Sequence, residues 1–234
     1  MAQTDAQLQG TESAWRLIAA ALGWQLLAFA CGGGIGLLVL KLGGFFRDPK
    51  LSDVVTIAWY AEILVSSGVL LAAAVIRGRI VGSGSINIGL GNEPVSNMPV
   101  IIGLAAALVA YAGLLCFVFD VSALHGLSHT SPSVGRYAIS AFLFVLIVPL
   151  AEESLFRGWL WTGLQRQWDV LPTALLTSIT WLAAHITPHQ MMVLLPVAII
   201  LALARYYGKS MRAPLALHMT YNAASIAALW VSQA

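Results

Sequence analysis

A chain of 234 residues that is 59 % hydrophobic and only 9 % charged, with a mean hydropathy of +0.83, is not an ordinary soluble globule, in which about a quarter of residues carry charge. It reads as an all-α polytopic membrane protein, because crossing a ~30 Å hydrocarbon core takes about 20 apolar residues of helix per span. A net charge of +2 is too small to imply a nucleic-acid partner, so the lipid bilayer and molecules anchored in it are the expected partners.

The first residues, Met1 to Ser13, are polar. They lack a basic n-region followed by a small-residue cleavage site, so 1–14 is expected to be a polar tail and not a cleaved signal. Seven apolar stretches follow, at roughly 15–40, 54–76, 99–119, 136–152, 171–187, 190–207 and 213–231. They predict a bundle of about seven to eight helices enclosing a polar intramembrane cavity. No internal repeat is visible. The polar residues of chemical interest gather in 136–234, which reads as a catalytic core, and 15–135 reads as accessory spans.

Within the first span, Cys31-Gly32-Gly33-Gly34-Ile35-Gly36 reads as a surface for close helix packing. Cys31 and Cys116 both lie in apolar runs and are expected to be reduced and packed. Glu62, early in the second span, is expected to be interfacial or paired. The loop 77–98 is Gly-rich but has no Walker lysine, so it is a linker and not a phosphate loop. Loop 120–135 carries Asp120, His125 and His129 beside Pro132; it reads as a solvated loop, since two histidines alone make a poor metal site. With seven spans, one side holds Arg16, Arg77, Arg79, Arg157, Arg166, Arg205, Lys209 and Arg212, and the other holds Lys41, Arg47, Lys50 and Arg136. That excess places the N-terminus inside, in the cytoplasmic membrane.

Ten acidic residues serve the whole chain, yet Glu152 and Glu153 stand side by side beyond a long apolar run. A carboxylate at membrane depth must be paired, hydrogen-bonded or in use. On a helix, Glu153 and Arg157 are at i and i+4 in the favoured order. Glu152 then points about 100° away, free to face a cavity as a general base. Trp181-Leu182-Ala183-Ala184-His185 ends an apolar run in one imidazole. Pro188 interrupts the helix before His189, so His185 is the candidate and His189 a loop residue. His218 and Asn222, again i and i+4, project from one helix face. Together they offer the convergent donors that a developing oxyanion requires. Glu152 and His185 lie at nearly equal sequence distance on either side of the turn near Trp168-Asp169, which puts them at similar depth. His218, only six residues past Arg212, counts as shallower. That mismatch shrinks if 158–168, with Trp159, Trp161 and Trp168, runs along the interface.

These motifs resemble the CPBP family, the CAAX-protease and bacteriocin-processing membrane proteins that include the Rce1-type prenyl-protein endopeptidases. The family pattern is Glu-Glu-x-x-x-Arg, aromatic-x-x-x-His and His-x-x-x-Asn or Asp, matched in order by Glu152-Glu153-x-x-x-Arg157, Trp181-x-x-x-His185 and His218-x-x-x-Asn222. Trp181 stands where Phe is commoner. The resemblance covers roughly 136–230. It implies an intramembrane endopeptidase acting near the C-terminus of a membrane-anchored protein or peptide. In that role Glu152 activates water with His185, His218 and Asn222 stabilise the oxyanion, and Glu153 and Arg157 support the helix. It implies no cofactor. A zinc-dependent version would use Glu152, His185 and His218 as ligands, although no His-Glu-x-x-His helix occurs. A non-catalytic immunity or scaffold protein, and a proton-relay transporter, are the competing classes.

Overall fold

The computed structural model describes residues 12–44, 52–80, 94–118, 134–185 and 187–233. Most of the polar tail, most of the 41–53 connection, the centre of the Gly-rich linker and the loop bearing Asp120, His125 and His129 lie outside the described residues. All regular structure among the described residues is helical. We number the helices α1 (Ala14–Leu42), α2 (Ser52–Ile80), α3 (Met98–Val118), α4 (134–165), α5 (Val170–Ala183), α6 (Pro188–Gly208) and α7 (Arg212–Gln233). The protein is thus a helical bundle. Five of its helices, α1 to α4 and α6, contain segments long and apolar enough to cross a membrane. The 14-residue α5 is a shorter apolar helix.

Helix α1 turns mostly small residues inward and large apolar ones outward, the arrangement that suits close helix packing in a lipid solvent. On α1 the buried positions are Ala14, Leu17, Ala21, Gln25, Ala28, Gly32 and Gly36, a stripe recurring every three or four residues. Leu26, Leu37 and Leu38 on the same helix are exposed. The stripe seats α1 against α2. A Cβ at Gly32 would come within 2.0 Å of Ser66 Oγ and 2.7 Å of the Glu62 carbonyl oxygen, so only glycine permits this approach. Ser66 Oγ donates across the contact to the Ala28 carbonyl at 3.1 Å. Gly33 and Gly34 face open space. Cys31 is free and exposed on the outer side of α1, against the expectation that it is packed, because the stripe that packs is the glycine one. The start of α1 is tied down by Gln167, whose amide accepts from the Ala14 N–H at 2.8 Å and donates to the Glu12 carbonyl at 2.7 Å.

Helix α4 is longer than its apolar stretch suggests. It continues to Gln165, so the Glu pair lies within the helix and not at its end. Residues 154–160 are all buried, and Trp161 is 1 % exposed. Trp159 and Trp161 there face protein. Two π-helical stretches, Phe142–Ile147 and Ser154–Leu160, flank the α-helical Val148–Glu153. Pro149 accounts for the first: it has no N–H and its ring clashes with the carbonyl four residues back. The Val148 amide bonds Leu143 instead of Phe144, and the next donor in the π register would be Pro149. The Phe144 carbonyl is therefore released. In the second stretch the Trp161 amide reaches Phe156 and Gly158, bypassing Arg157. Each π turn thus frees one carbonyl for a side chain from a facing helix.

The connection between α6 and α7 is covered on one side, while Lys209 and Arg212 are exposed. Met211 is fully buried, Ser210 and Ala213 nearly so, and the segment before α3 covers the turn through Ser96 N–H to the Gly208 carbonyl at 3.0 Å and Asn97 Nδ2 to the Tyr207 carbonyl at 2.9 Å. His218, further along α7, is buried in the bundle at 4 % exposure.

Candidate active site

Three elements deliver the polar residues. Helix α4 carries Glu152, Glu153 and Arg157. Helix α5 ends at Ala183, and the turn after it presents His185. Helix α7 carries His218 and Asn222. Glu152, His185, His218 and Asn222 all line one cavity of about 320 Å³. Glu153 and Arg157 do not line it; both are fully buried behind it. His189 lies exposed in the first turn of α6, which Pro188 opens, and it does not line the cavity.

The hydrogen bonds divide the two glutamates. Glu153 Oε1 accepts from Arg157 Nη1 at 3.0 Å and from His218 Nδ1 at 2.9 Å. A buried carboxylate is tolerable when it is paired and hydrogen-bonded in this way. Glu153 thus does more than hold α4 to its own Arg157. It ties α4 to α7 and fixes the ring of His218, and because the carboxylate can only accept, Nδ1 carries the proton. Nε2 is the nitrogen that remains for the cavity.

Glu152 Oε2 accepts from the indole Nε1 of Trp181 at 2.6 Å, a short charge-assisted bond. Trp181 is 1 % exposed and serves as the hub of the site. Its ring lies 4.9 Å below the Arg157 guanidinium, in cation–π range. It meets His185 and His218 edge-on, with ring centroids 4.6 and 5.7 Å apart. The His185 Nδ1 lies 3.1 Å from the Trp181 carbonyl oxygen. A carbonyl only accepts, so Nδ1 carries the proton and Nε2 of the neutral ring has a free lone pair. Asn222 Nδ2 donates to the Phe144 carbonyl at 2.7 Å, the one released by the first π turn. One amide N–H is therefore committed to the backbone and the other is left. The carbonyl released by the second π turn, that of Arg157, is taken by Arg205 Nε at 3.1 Å.

The sequence motifs singled out Trp181 only as an aromatic in place of Phe. Its role was legible in one respect: among the aromatic choices for that position, only tryptophan offers a ring N–H. Glu62 was also undervalued. It lines the cavity together with Gln25 of α1 and Ser66 of α2, and among the described residues its carboxylate has no ion-pair partner. The zinc alternative called for Glu152, His185 and His218 as ligands. Among the described residues no three His, Cys, Asp or Glu side chains are grouped so as to hold a metal ion. His218 Nδ1 is occupied by Glu153 and Glu152 Oε2 by Trp181.

Residues 134–224 match the Rce1-like family, described as type II CAAX prenyl endopeptidase. The match supports the CAAX-protease family that the three motifs resemble, and it spans all of them. No curated protein and no solved structure matches the chain. The family segment begins with α4, so Gln25, Glu62 and Ser66 reach the cavity from helices outside it. This is an integral membrane protein with a segment that matches a protease family, and its cavity is walled partly by residues outside that segment.

Proposed function

We propose that the protein is an intramembrane endopeptidase that hydrolyses a peptide bond near the C-terminus of a membrane-anchored protein or peptide, without a metal. Trp181 holds one oxygen of Glu152, and the other takes a proton from a water bound in the cavity. His185 Nε2 accepts the second hydrogen of that water and orients it. The hydroxide oxygen bonds to the scissile carbonyl carbon. The resulting oxyanion receives the remaining Asn222 N–H and, when the His218 ring is doubly protonated, its Nε2–H. Collapse of the tetrahedral intermediate breaks the C–N bond, and the proton held by Glu152 passes to the leaving nitrogen. Glu153 and Arg157 act through His218 and do not touch the substrate. The balance of cationic residues supports an N-terminus on the cytoplasmic side.

The observation that carries this reading is Glu152 held by the Trp181 indole in a cavity also lined by His185, His218 and Asn222. The test is Glu152→Gln in proteoliposomes with a lipid-anchored reporter peptide. Removal of a general base lowers kcat by about 10²–10⁴-fold; an unchanged rate would sink the proposal. Dialysis against a strong zinc chelator leaves the wild-type rate as it was. Loss of activity restored by added zinc would put a metal in place of the Glu152-activated water.

A further inference from the structure

Three helices end together at a second cavity, of about 290 Å³, lined by Trp161 and Gln165 of α4, Val170 of α5, Arg205 and Tyr206 of α6, and Lys209 just past α6. The spans of α4 and α6 stop there, at Gln165 and Gly208, so the cavity stands where hydrocarbon gives way to headgroups. Tyr206 and its neighbour Tyr207 are exposed, as aromatic residues are at that depth. The cavity shares no lining residue with the one that holds Glu152.

Its charge is one-sided. Arg205 and Lys209 line it, and no Asp or Glu does. Among the described residues neither cation makes an ion pair, whereas Arg77 and Arg157 each have a glutamate. Asp169, next to Val170 in the chain, is exposed and does not line the cavity. Arg205 is half-buried and lies within the last turn of its span, where a guanidinium without a counter-charge is costly.

The guanidinium is also held in place. Its Nε donates to the Arg157 carbonyl at 3.1 Å, and its carbon lies 5.7 Å from the Trp161 ring centroid, in cation–π range. Fixed by one edge and one face, it keeps its two Nη groups for an acceptor, in the fork that matches two phosphate oxygens. The N-terminus of α5 adds to this: Asp169 makes no side-chain cap bond there, and first-turn amides favour an anion. Leu171, Leu175 and Ile179 are exposed along α5, an apolar stripe that starts beside Val170 and suits acyl chains.

We propose that Arg205 and Lys209 bind the phosphate of an anionic phospholipid, with its headgroup in this cavity and its acyl chains against α5. A lipid is favoured over a soluble phosphate because the cavity opens at headgroup depth, between exposed tyrosines and an exposed apolar stripe. The bound headgroup supplies the counter-charge that Arg205 lacks. Such binding does not depend on any cleavage activity.

The full-length protein in detergent is titrated with dioleoylphosphatidylglycerol, dioleoylphosphatidylcholine or inorganic phosphate. Retained lipid is counted by native mass spectrometry, and the rise in unfolding temperature gives a second reading. Wild type retains one phosphatidylglycerol at least about tenfold more tightly than phosphatidylcholine, the scale of one charge-assisted hydrogen bond. Lys209→Gln, at an exposed position, cuts that preference about fivefold, the contribution of one cation at a membrane surface. Arg205→Gln abolishes it. Arg16→Gln removes an exposed cation that lines neither cavity and leaves the preference unchanged. Equal retention of the two lipids overturns the site, as does a Lys209→Gln protein that keeps the full preference, which decides the matter if Arg205→Gln fails to fold. A fall in Arg16→Gln as large as in Lys209→Gln would mean diffuse surface charge and no site. Inorganic phosphate that binds as tightly as phosphatidylglycerol overturns the lipid assignment.

Discussion

Trp181→Phe isolates one hydrogen bond at the centre of the site. The substitution keeps an aromatic ring against Arg157, His185 and His218, and Phe is the commoner residue at this position in the family that the motifs resemble, so the fold tolerates it. What it removes is the indole N–H that Glu152 Oε2 accepts at 2.6 Å. Hydrogen bonds to charged groups contribute about 1.5–3 kcal/mol, and tenfold corresponds to about 1.4 kcal/mol. If that bond holds the carboxylate in its working orientation, kcat falls by about 10- to 100-fold on these figures. KM stays within about twofold, because the indole touches the base and not the substrate. The smaller ring costs about 1 kcal/mol of packing, which thermal unfolding in detergent reads separately. The assay is initial-rate cleavage of the reporter in proteoliposomes across a range of substrate concentrations. A variant with wild-type kcat refutes the claim that the indole positions Glu152. So would a loss of kcat matched entirely by loss of folded protein.

Two further outcomes follow from the packing. Gly32→Ala places a methyl group 2.7 Å from the Glu62 backbone oxygen, forcing α1 and α2 apart at a cost of about 1–3 kcal/mol; Gly33→Ala, which meets nothing within 4 Å, stays within about 0.5 kcal/mol of wild type. Both are read by thermal unfolding in detergent. Arg157→Leu leaves the buried Glu153 with His218 as its only hydrogen-bond partner among the described residues, and the loss of one member of a buried pair costs about 3–5 kcal/mol. The double variant Glu153→Gln, Arg157→Leu is more stable than Arg157→Leu alone, since no uncompensated charge remains; the reverse order would mean that Arg157 acts mainly through its stacking on Trp181.

The sequence by itself determined the solvent and the elements. Spans of apolar residues in a chain with 9 % charge leave a membrane helix bundle as the arrangement that satisfies every backbone group in lipid, and the seven stretches correspond to the seven helices among the described residues. The pairing of Glu153 with Arg157 was legible because helical spacing alone brings i and i+4 together. That His218 and Asn222 share a face was legible for the same reason. Which residues meet across helices was not, because that depends on how deep each helix is set and how it is rotated. Only the tertiary structure brought His218 of α7 onto Glu153 of α4. It also turned the Trp181 N–H onto Glu152, directed Asn222 to a carbonyl that Pro149 had released, and carried Gln25 and Glu62 from helices outside the family segment to the cavity wall. Local periodicity reports a residue's own helix face; the partner on the other side of a cavity is fixed only when the helices pack.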